Sequence, residues 1–324
     1  FFYYDIKNAR AINQGEIKDL EMAGVSAADD HTFVIETERP CPYLPYITSF
    51  PTSAPVPRWQ VEKYGRRWTE TGRCVSNAAF QLDTWRTGEY MTFGLNPYYN
   101  GPNKGYLRKI VRVFTSTIGV SAGIAPYENN EVDMIGLDGV FLEEVRNNPA
   151  LNRELWTYDP FTTVYLYFRS RHPPFNDARV RRAIALAIDK ETISNTILKG
   201  TKTPAYTMLP VHFPGYVGDK YKSLQQYNPA QAKRLLADAG YPDGAGFPKT
   251  ELWLAETRSN TPGSQAAQAI QQMLRDNLGI TITLRNAETS AHRKAQYDWE
   301  MPMSIIGFNY DFPDPHSMLG IVWR

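Results

Sequence analysis

Carboxylates and aromatic rings alternate in one short stretch near the C-terminal end of the chain, which runs G-F-N-Y-D-F-P-D-P. Asp311 lies at its centre, with Tyr310 before it, Phe312 after it and Phe308 three positions earlier. Ring faces exclude water, and a carboxylate in partly dry surroundings attracts an ammonium group more strongly. The same residues, with Asp314 between two prolines, also form Asp-Pro turns well. The spacing therefore leaves two interpretations open, a cation-binding site and an ordinary turn.

The sequence lacks the patterns of known catalytic sites. None of its five histidines falls in a metal-binding pattern such as H-E-x-x-H, and there is no nucleophile elbow, Walker loop or dinucleotide-binding glycine motif. Asp311 and Asp314 could form the acid–base pair of a hydrolase, but no activating base accompanies them. His316 is predicted to be a loop or helix-cap residue, because it has no visible orienting partner. We therefore predict a binding protein rather than an enzyme, with no catalytic residue, no metal ligand and no cofactor.

The composition excludes partners that bind by charge alone. With 35 basic and 34 acidic residues the net charge is +1, which gives no electrostatic footprint for nucleic acid or an anionic membrane. Aromatic residues make up 13% of the chain, and such side chains suit a large, adaptable binding surface. The two cysteines, Cys41 and Cys74, allow either one disulfide or two free thiols.

Hairpin signals dominate the first part of the chain, where strands are predicted at residues 32–37, 79–85 and 90–95. From residue 107 onward strands and helices alternate, which is typical of an α/β architecture. A helix is predicted at residues 116–128 and a short strand at 131–135. The clearest helix has Asn176 as its cap and apolar residues at helical spacing as far as Ile188, and Asn228 begins another helix. The clearest unit in that part is a strand, helix and second strand between residues 250 and 284.

The stretch around Asp311 is predicted to follow a buried strand. Met303, Ile305 and Ile306 form the apolar run of this strand, and a loop is expected to open at Gly307. Residues on loops that leave a strand carry function more often than most.

The length of 324 residues exceeds what one core usually supports, so more than one domain is expected. We predict a hairpin-rich small subdomain at residues 1–100, part of a first α/β lobe at 101–170 and a second α/β lobe at 171–324. Two such lobes can close on a ligand held between them. Both ends of the sequence resemble cuts through structured segments, so we expect an internal piece of a longer protein.

Several stretches together resemble the extracellular solute-binding proteins of family 5, which are the oligopeptide- and dipeptide-binding components of ABC importers. The strongest match is the run P-P-F-N-D-A-R-V-R-R-A-I-A-L-A-I-D-K-E-T-I at residues 173–193. Other matches, in the family order, are D-D-H-T-F at 29–33, V-S-N-A-A-F at 75–80, N-P-Y-Y at 96–99, E-V-D at 131–133, L-L-A-D-A-G-Y at 235–241 and the stretch from Gly307 to Leu319.

The resemblance implies an α/β, periplasmic-binding-protein-like two-lobe fold with an extra N-terminal subdomain. In peptide-binding members an aspartate of the C-terminal loop holds the α-ammonium group of the peptide, and that residue corresponds to Asp311. The resemblance makes Tyr310, Phe312, Phe308 and Asn77 further candidate ligand-binding residues. Oligopeptide binders can carry an arginine for the ligand carboxylate where this chain has Ile305.

The function implied is import of short peptides, bound in an inter-lobe cleft and passed to an ABC permease in the inner membrane. The resemblance further implies a monomer in the periplasm, or a lipid-anchored extracellular protein in a Gram-positive organism. Relatives that bind nickel complexes, opines, haem or oligosaccharides leave another solute open as the alternative. A carboxylate-dependent hydrolase is the remaining alternative.

Overall fold

The computed structural model of the protein describes residues 2–102, 105–114, 123–137, 139–158, 160–255 and 261–320. Its contacts group the chain into two units. The first unit comprises Phe1–Ile47 and Glu154–Arg324, and the second unit comprises Thr48–Arg153. The predicted division at residues 100 and 170 differs from this grouping, because pairing across residue 170 places the strand before it in the same sheet as the strands after it. The three-part division stays a prediction.

Nine strands and eleven helices are found among the described residues. The strands are β1 Val25–Asp29, β2 Thr32–Ile35, β3 Phe80–Arg86, β4 Tyr90–Leu95, β5 Lys109–Val113, β6 Thr162–Phe168, β7 Thr250–Leu254, β8 Ile282–Asn286 and β9 Met303–Asn309. The helices are α1 Ala9–Asn13, α2 Leu44–Thr48, α3 Arg58–Tyr64, α4 Ala125–Glu128, α5 Gly139–Asn147, α6 Pro149–Asn152, α7 Ala178–Ala187, α8 Lys190–Thr192, α9 Pro229–Asp238, α10 Pro262–Leu278 and α11 Thr289–Tyr297. Short 3-10 turns occur at Leu20–Met22, Pro51–Ser53, Gly65–Thr69, Gly218–Leu224 and Pro242–Gly244, and π turns at Ile193–Ile197 and His316–Gly320.

The second unit is built on an antiparallel sheet of order β3-β4-β5. The predicted hairpin of β3 and β4 is confirmed, with Phe80 opposite Leu95. The strand predicted at residues 131–135 does not form. This segment follows α4 and pairs with no strand in the described part of the chain. Most of the helix expected at residues 116–128 lies outside the described residues, and only α4 is seen.

The first unit contains the β1-β2 hairpin and a four-stranded sheet of order β6-β9-β7-β8. Strand β7 runs parallel to β8 and to β9, whereas β6 pairs with β9 in the antiparallel sense. The predicted strand–helix–strand unit is thus confirmed as β7-α10-β8. Gly279 ends α10 in the left-handed conformation, where a Cβ would lie 2.2 Å from the Asp243 carbonyl oxygen.

The main hydrophobic core of this unit packs α7, α9 and α10 against the sheet. Helix α7 buries the apolar positions that its 3.6-residue period predicts, and their partners come from α9, α10 and the sheet. Its N-cap is Asp177, whose Oδ1 accepts the Arg179 N–H at 2.7 Å, and not the predicted Asn176. Either side chain can cap, so the tertiary position of the first turn decides.

None of the described helices pairs enough length with enough hydropathy to cross a bilayer; the longest has 17 residues. Both cysteines are free thiols in the structure, Cys41 in the first unit and Cys74 in the second.

Buried His292 on α11 couples folding of the first unit to pH. Its Nε2 lies 2.8 Å from Ser304 Oγ, and the Ser304 hydroxyl donates to the Trp253 carbonyl at 3.0 Å, so the imidazole Nε2–H is the donor. Burial lowers the pKa of His292 below its ordinary 6.5. The unfolded chain therefore takes up this proton at a higher pH than the folded chain does.

We expect the free energy of unfolding to fall as the pH drops below about 6.5, by at most about 1.4 kcal/mol per pH unit from this group. The loss ends once the pH passes below the folded pKa. The His292→Gln variant keeps a donor for Ser304 but does not titrate. Urea unfolding of both proteins at several pH values between 4.5 and 7.5 measures the difference, and parallel curves would contradict the assignment.

Candidate ligand-binding site

The loop after β9 carries Asp311, the predicted ligand anchor. Strand β9 continues through Gly307 and Phe308 to Asn309, because these residues still pair with β6, so the loop begins at Tyr310 and not at Gly307 as predicted. The Tyr310 N–H donates to the Phe161 carbonyl at 2.8 Å, and the Asp311 N–H donates to Ser317 Oγ at 3.2 Å. The backbone on both sides of Tyr310 is therefore fixed.

Tyr310 and Phe312 are buried, and the side chain of Asp311 between them is exposed. The Tyr310 hydroxyl donates to the Met208 carbonyl at 2.6 Å, and its ring packs against Phe213 at 4.4 Å and edge-on against Phe308 at 5.3 Å. Buried contacts of the Tyr310 and Phe312 rings therefore hold the loop in place. Their described contacts are with protein groups, and direct contact with a ligand stays a prediction.

The Asp311 carboxylate has no cationic partner among the described residues. Within the residues that the structure describes, its side chain forms no hydrogen bond and no ion pair. The atoms around it still displace enough water to raise the pKa of this carboxyl above its ordinary value. A cation arriving here would therefore meet an unpaired, partly desolvated charge.

Asp314 accounts for the alternative turn interpretation. Its Oδ1 accepts the His316 N–H at 2.8 Å, and the Ser317 N–H donates to its carbonyl at 3.0 Å. The Asp-Pro turn is thus present, but it is formed by Asp314, whereas Asp311 stays outside it. Since Asp314 is engaged in closing the turn, the two carboxylates have different tasks.

Phe312 packs against Tyr43, which belongs to a polar network in the N-terminal segment of the same unit. Its ring stacks on Tyr43 with 5.4 Å between centroids, and the His316 ring stacks on Tyr43 at 4.6 Å. The Tyr43 hydroxyl donates to Asp5 Oδ2 at 2.5 Å, and Arg39 pairs with Asp5 Oδ1 at 2.6 Å. The loop is therefore supported by Tyr43, Arg39 and Asp5, which lie far earlier in the sequence.

The charge on Asp5 is stabilised by these contacts. Burial by itself would raise the pKa of Asp5, but the hydrogen bonds from Tyr43 and Arg39 outweigh it and the pKa is lowered. Burial and the neighbouring carboxylate raise the pKa of Tyr43, so its hydroxyl stays a donor. His316 Nε2 lies 3.8 Å from Asp5 Oδ2.

Sequence reasoning missed Asp5, Arg39 and Tyr43. No spacing pattern links them to the loop, and only the three-dimensional structure brings them together. His316 is predicted as a loop or helix-cap residue, and the structure makes it the first residue of the π turn His316–Gly320. Its ring adds a stacking contact that the sequence does not reveal.

Asn77, the fifth candidate, belongs to the second unit and is exposed. Buried Asn96 holds the segment around it, because its side-chain amide donates to the Ser76 carbonyl at 2.8 Å and to the Ala78 carbonyl at 2.9 Å. The N-P-Y-Y stretch thus contributes a positioning residue. A ligand role for Asn77 stays a prediction.

The described residues contain no group of three or more His, Cys, Asp or Glu side chains placed to hold a metal ion.

Comparison with known families assigns the chain. Residues 2–324 match the family described as bacterial extracellular solute-binding proteins, family 5 Middle. The chain belongs to this family. The members are solute-binding proteins rather than enzymes, and the resemblance predicted from the sequence is confirmed.

Named relatives agree with the family. The periplasmic oligopeptide-binding protein OppA of Salmonella typhimurium is 30% identical over 98% of this chain, which covers 58% of that protein. The probable deoxycholate-binding periplasmic protein YgiS of Escherichia coli is also 30% identical, over 97% of this chain and 57% of that protein. The chain thus spans somewhat more than half the length of these relatives.

Solved structures confirm the predicted fold class. A periplasmic oligopeptide-binding protein from Borrelia burgdorferi superposes with a TM-score of 0.80 at 26% identity, covering 98% of this chain and 61% of that one. Listeria monocytogenes OppA bound to peptide superposes with a TM-score of 0.77 at 25% identity, covering 98% of this chain and 63% of that one.

Proposed function

We propose that the protein carrying this chain binds short peptides outside the cytoplasm and delivers them to an ABC permease. The observation that carries the proposal is the Asp311 carboxylate, which lacks a hydrogen bond or ion pair in the described part of the chain and is exposed on a loop that buried rings hold in place. The α-ammonium group of a peptide is its natural partner, because a charge-assisted hydrogen bond to a partly desolvated carboxylate is roughly twice as strong as a neutral one. Relatives named as oligopeptide-binding proteins support this cargo.

The remaining peptide groups are expected to be held loosely. Backbone groups of a binding protein pair with an extended peptide whatever its sequence, and wet side-chain pockets tolerate variety. We propose Tyr310 and Phe312 as positioning residues for Asp311, with Phe308 and Asn77 as further ligand contacts. The protein acts as a monomer and releases its cargo unchanged.

A matched pair of ligands tests the anchor. We expect trialanine to bind and N-acetyl-trialanine to bind at least about 30-fold more weakly, because acetylation removes the ammonium charge. Isothermal titration calorimetry on the protein that carries this chain gives both affinities. Chromatography of the recovered peptide checks that it is intact, and equal affinities for the two peptides would reject the ammonium site.

A carboxylate-bearing sterol is the second candidate cargo, since YgiS, a relative as similar as OppA, is named as a probable deoxycholate-binding protein. Deoxycholate has no ammonium group for Asp311. Titration with deoxycholate separates the candidates, because binding of the sterol together with failure of every peptide would replace the peptide proposal.

A further inference from the structure

A histidine just after the Asp311 loop faces a carboxylate of the N-terminal segment. His316 Nε2 lies 3.8 Å from Asp5 Oδ2, and the two side chains are 19% and 16% exposed. The His316 ring stacks almost parallel on the Tyr43 ring, with 14° between their planes. Within its own turn, a Cβ on Gly320 would collide with the imidazole, so the glycine leaves room for the ring. The position of the ring is therefore fixed by Tyr43 and by its own turn.

The strength of these contacts depends on the charge of the imidazole. Histidine ordinarily changes its charge between about pH 5 and pH 8. A charged His316 forms an ion pair with Asp5, whereas a neutral ring does not. The charged ring also interacts more favourably with the face of Tyr43. Because both partners of the pair are largely buried, salt screens their attraction less than it would at the surface.

The ionisable groups around the ring favour its charged form. Arg39 pairs with Asp5 through the other carboxylate oxygen, Oδ1, at 2.6 Å. On the other segment, Asp314 Oδ1 accepts the backbone N–H of the histidine at 2.8 Å. Two carboxylates against one guanidinium leave a net negative charge near the ring, which offsets the cost of burying a second cation. Burial raises the pKa of the two remaining groups, the Tyr43 hydroxyl and the Cys41 thiol, so both stay neutral.

The turn that begins at His316 also holds the backbone of Asp311. The Asp311 N–H donates to Ser317 Oγ at 3.2 Å, and Ser317 follows the histidine directly. Phe312, on the other side of Asp311, stacks on the same Tyr43 ring at 5.4 Å. Restraint of the histidine therefore restrains the loop. A loop that is ordered before the ligand arrives loses less conformational entropy on binding, and the affinity is higher.

We propose that Asp5 and His316 are positioning residues for the ligand anchor, and that their ion pair makes the ligand affinity depend on pH. Below neutral pH the pair orders the Asp311 loop. As the pH rises, the imidazole loses its proton and the restraint weakens. The inference rests on the proposed binding function, and neither residue is proposed to touch the ligand.

Calorimetry with trialanine at pH 5.5 and pH 7.5 tests the pair in the protein that carries this chain. The ratio of the affinity at pH 5.5 to that at pH 7.5 should be about fivefold larger in the wild type than in His316→Gln, because glutamine does not titrate. Titration of Asp311 and of the peptide ammonium group is common to both proteins, so the comparison removes it. The Asp5→Asn variant should lose the same part of the pH dependence.

His31→Gln is the matched control. His31 is an exposed histidine in the turn between β1 and β2 of the same unit. It is absent from the network around Asp5 in the described part of the chain, so its variant should keep the wild-type ratio of affinities. A ratio that falls equally in His31→Gln and His316→Gln overturns the proposal, because general loss of positive charge would then explain it.

Hydrogen exchange adds a measurement that needs no ligand. The Asp311 N–H donates to Ser317 Oγ and the Ser317 N–H donates to the Asp314 carbonyl. Protection of these two amides in the wild type, relative to His316→Gln, should be greater at pH 5.5 than at pH 7.5.

The outcomes separate this inference from the proposed function. Parallel affinity profiles in the wild type and His316→Gln overturn the positioning role, while continued discrimination against N-acetyl-trialanine keeps the peptide-binding function. Failure of every peptide to bind overturns the peptide-binding function. In that case equal relative protection of the Asp311 and Ser317 amides at both pH values overturns the ion pair as well.

Discussion

Replacing Asp311 by asparagine is expected to remove most of the peptide affinity that we propose for the protein carrying this chain. Asparagine has nearly the same shape but no charge, so the ammonium group of the ligand would lose the ionic partner proposed for it. Truncating one partner of a desolvated charge pair costs about 2 kcal/mol or more, which corresponds to at least about 30-fold in the dissociation constant. Isothermal titration calorimetry with trialanine measures this change.

Asp314→Asn is the matched control for this experiment. The asparagine can still accept the His316 N–H through its side-chain oxygen, so the turn persists while one negative charge of the loop disappears. We expect the affinity of this variant to stay within about threefold of the wild type. Equal losses in both variants would mean that general loop charge, and not the anchor at Asp311, attracts the ligand.

The stability of the Asp311→Asn variant, compared with the wild type, tests whether loss of folding causes the loss of affinity. The exposed side chain of Asp311 forms no hydrogen bond or ion pair among the described residues, and its substitution should leave the urea midpoint of unfolding close to that of the wild type. A large drop in stability would show that Asp311 holds the loop, which contradicts the assignment of this task to its flanking rings.

The sequence predicts the regular parts of this protein well because local chemistry determines them. The period of α7 and the cap at Asn228 indicate their helices, and the structure confirms both. The sequence predicts the end of β9 three residues before the end that the structure shows. Gly307 is locally a loop signal, but its pairing with Val164 keeps it in the strand. Tertiary pairing overrides a local signal at that point.

The candidate site shows the same division between local and distant causes. Asp311 is predicted as the anchor from its neighbours in sequence, and its side chain forms no hydrogen bond or ion pair among the described residues. Its role in binding a ligand stays a prediction. The flanking rings are predicted to wall the acid, but both are buried in packing contacts while the Asp311 side chain between them is exposed. Their partners, Tyr43 and Phe213, come from segments whose approach no spacing rule predicts.

The second large effect is expected at Phe312, which is 3% exposed. The Phe312→Ala variant loses its stacking on Tyr43 and leaves a cavity, which typically destabilises a protein by about 3 to 5 kcal/mol. The remaining folded molecules hold Asp311 less firmly, so we expect peptide affinity to fall about tenfold because part of the ordering now has to occur on binding. Urea unfolding and calorimetry below the unfolding transition measure the two effects.

Phe175→Ala separates positioning from stability. Phe175 is 1% exposed in the main core of the same unit and packs against Phe168 at 5.2 Å, so its loss should be about as destabilising. It belongs to a different buried cluster from Tyr43 and Phe312 among the described residues, and affinity measured on folded protein should therefore match the wild type. Because both variants remove the same side chain from equally buried places, any difference in affinity reports the link between Phe312 and Asp311. Equal affinities in the two variants would show that the loop keeps its geometry without the ring, and the support from Tyr43 would then concern folding alone.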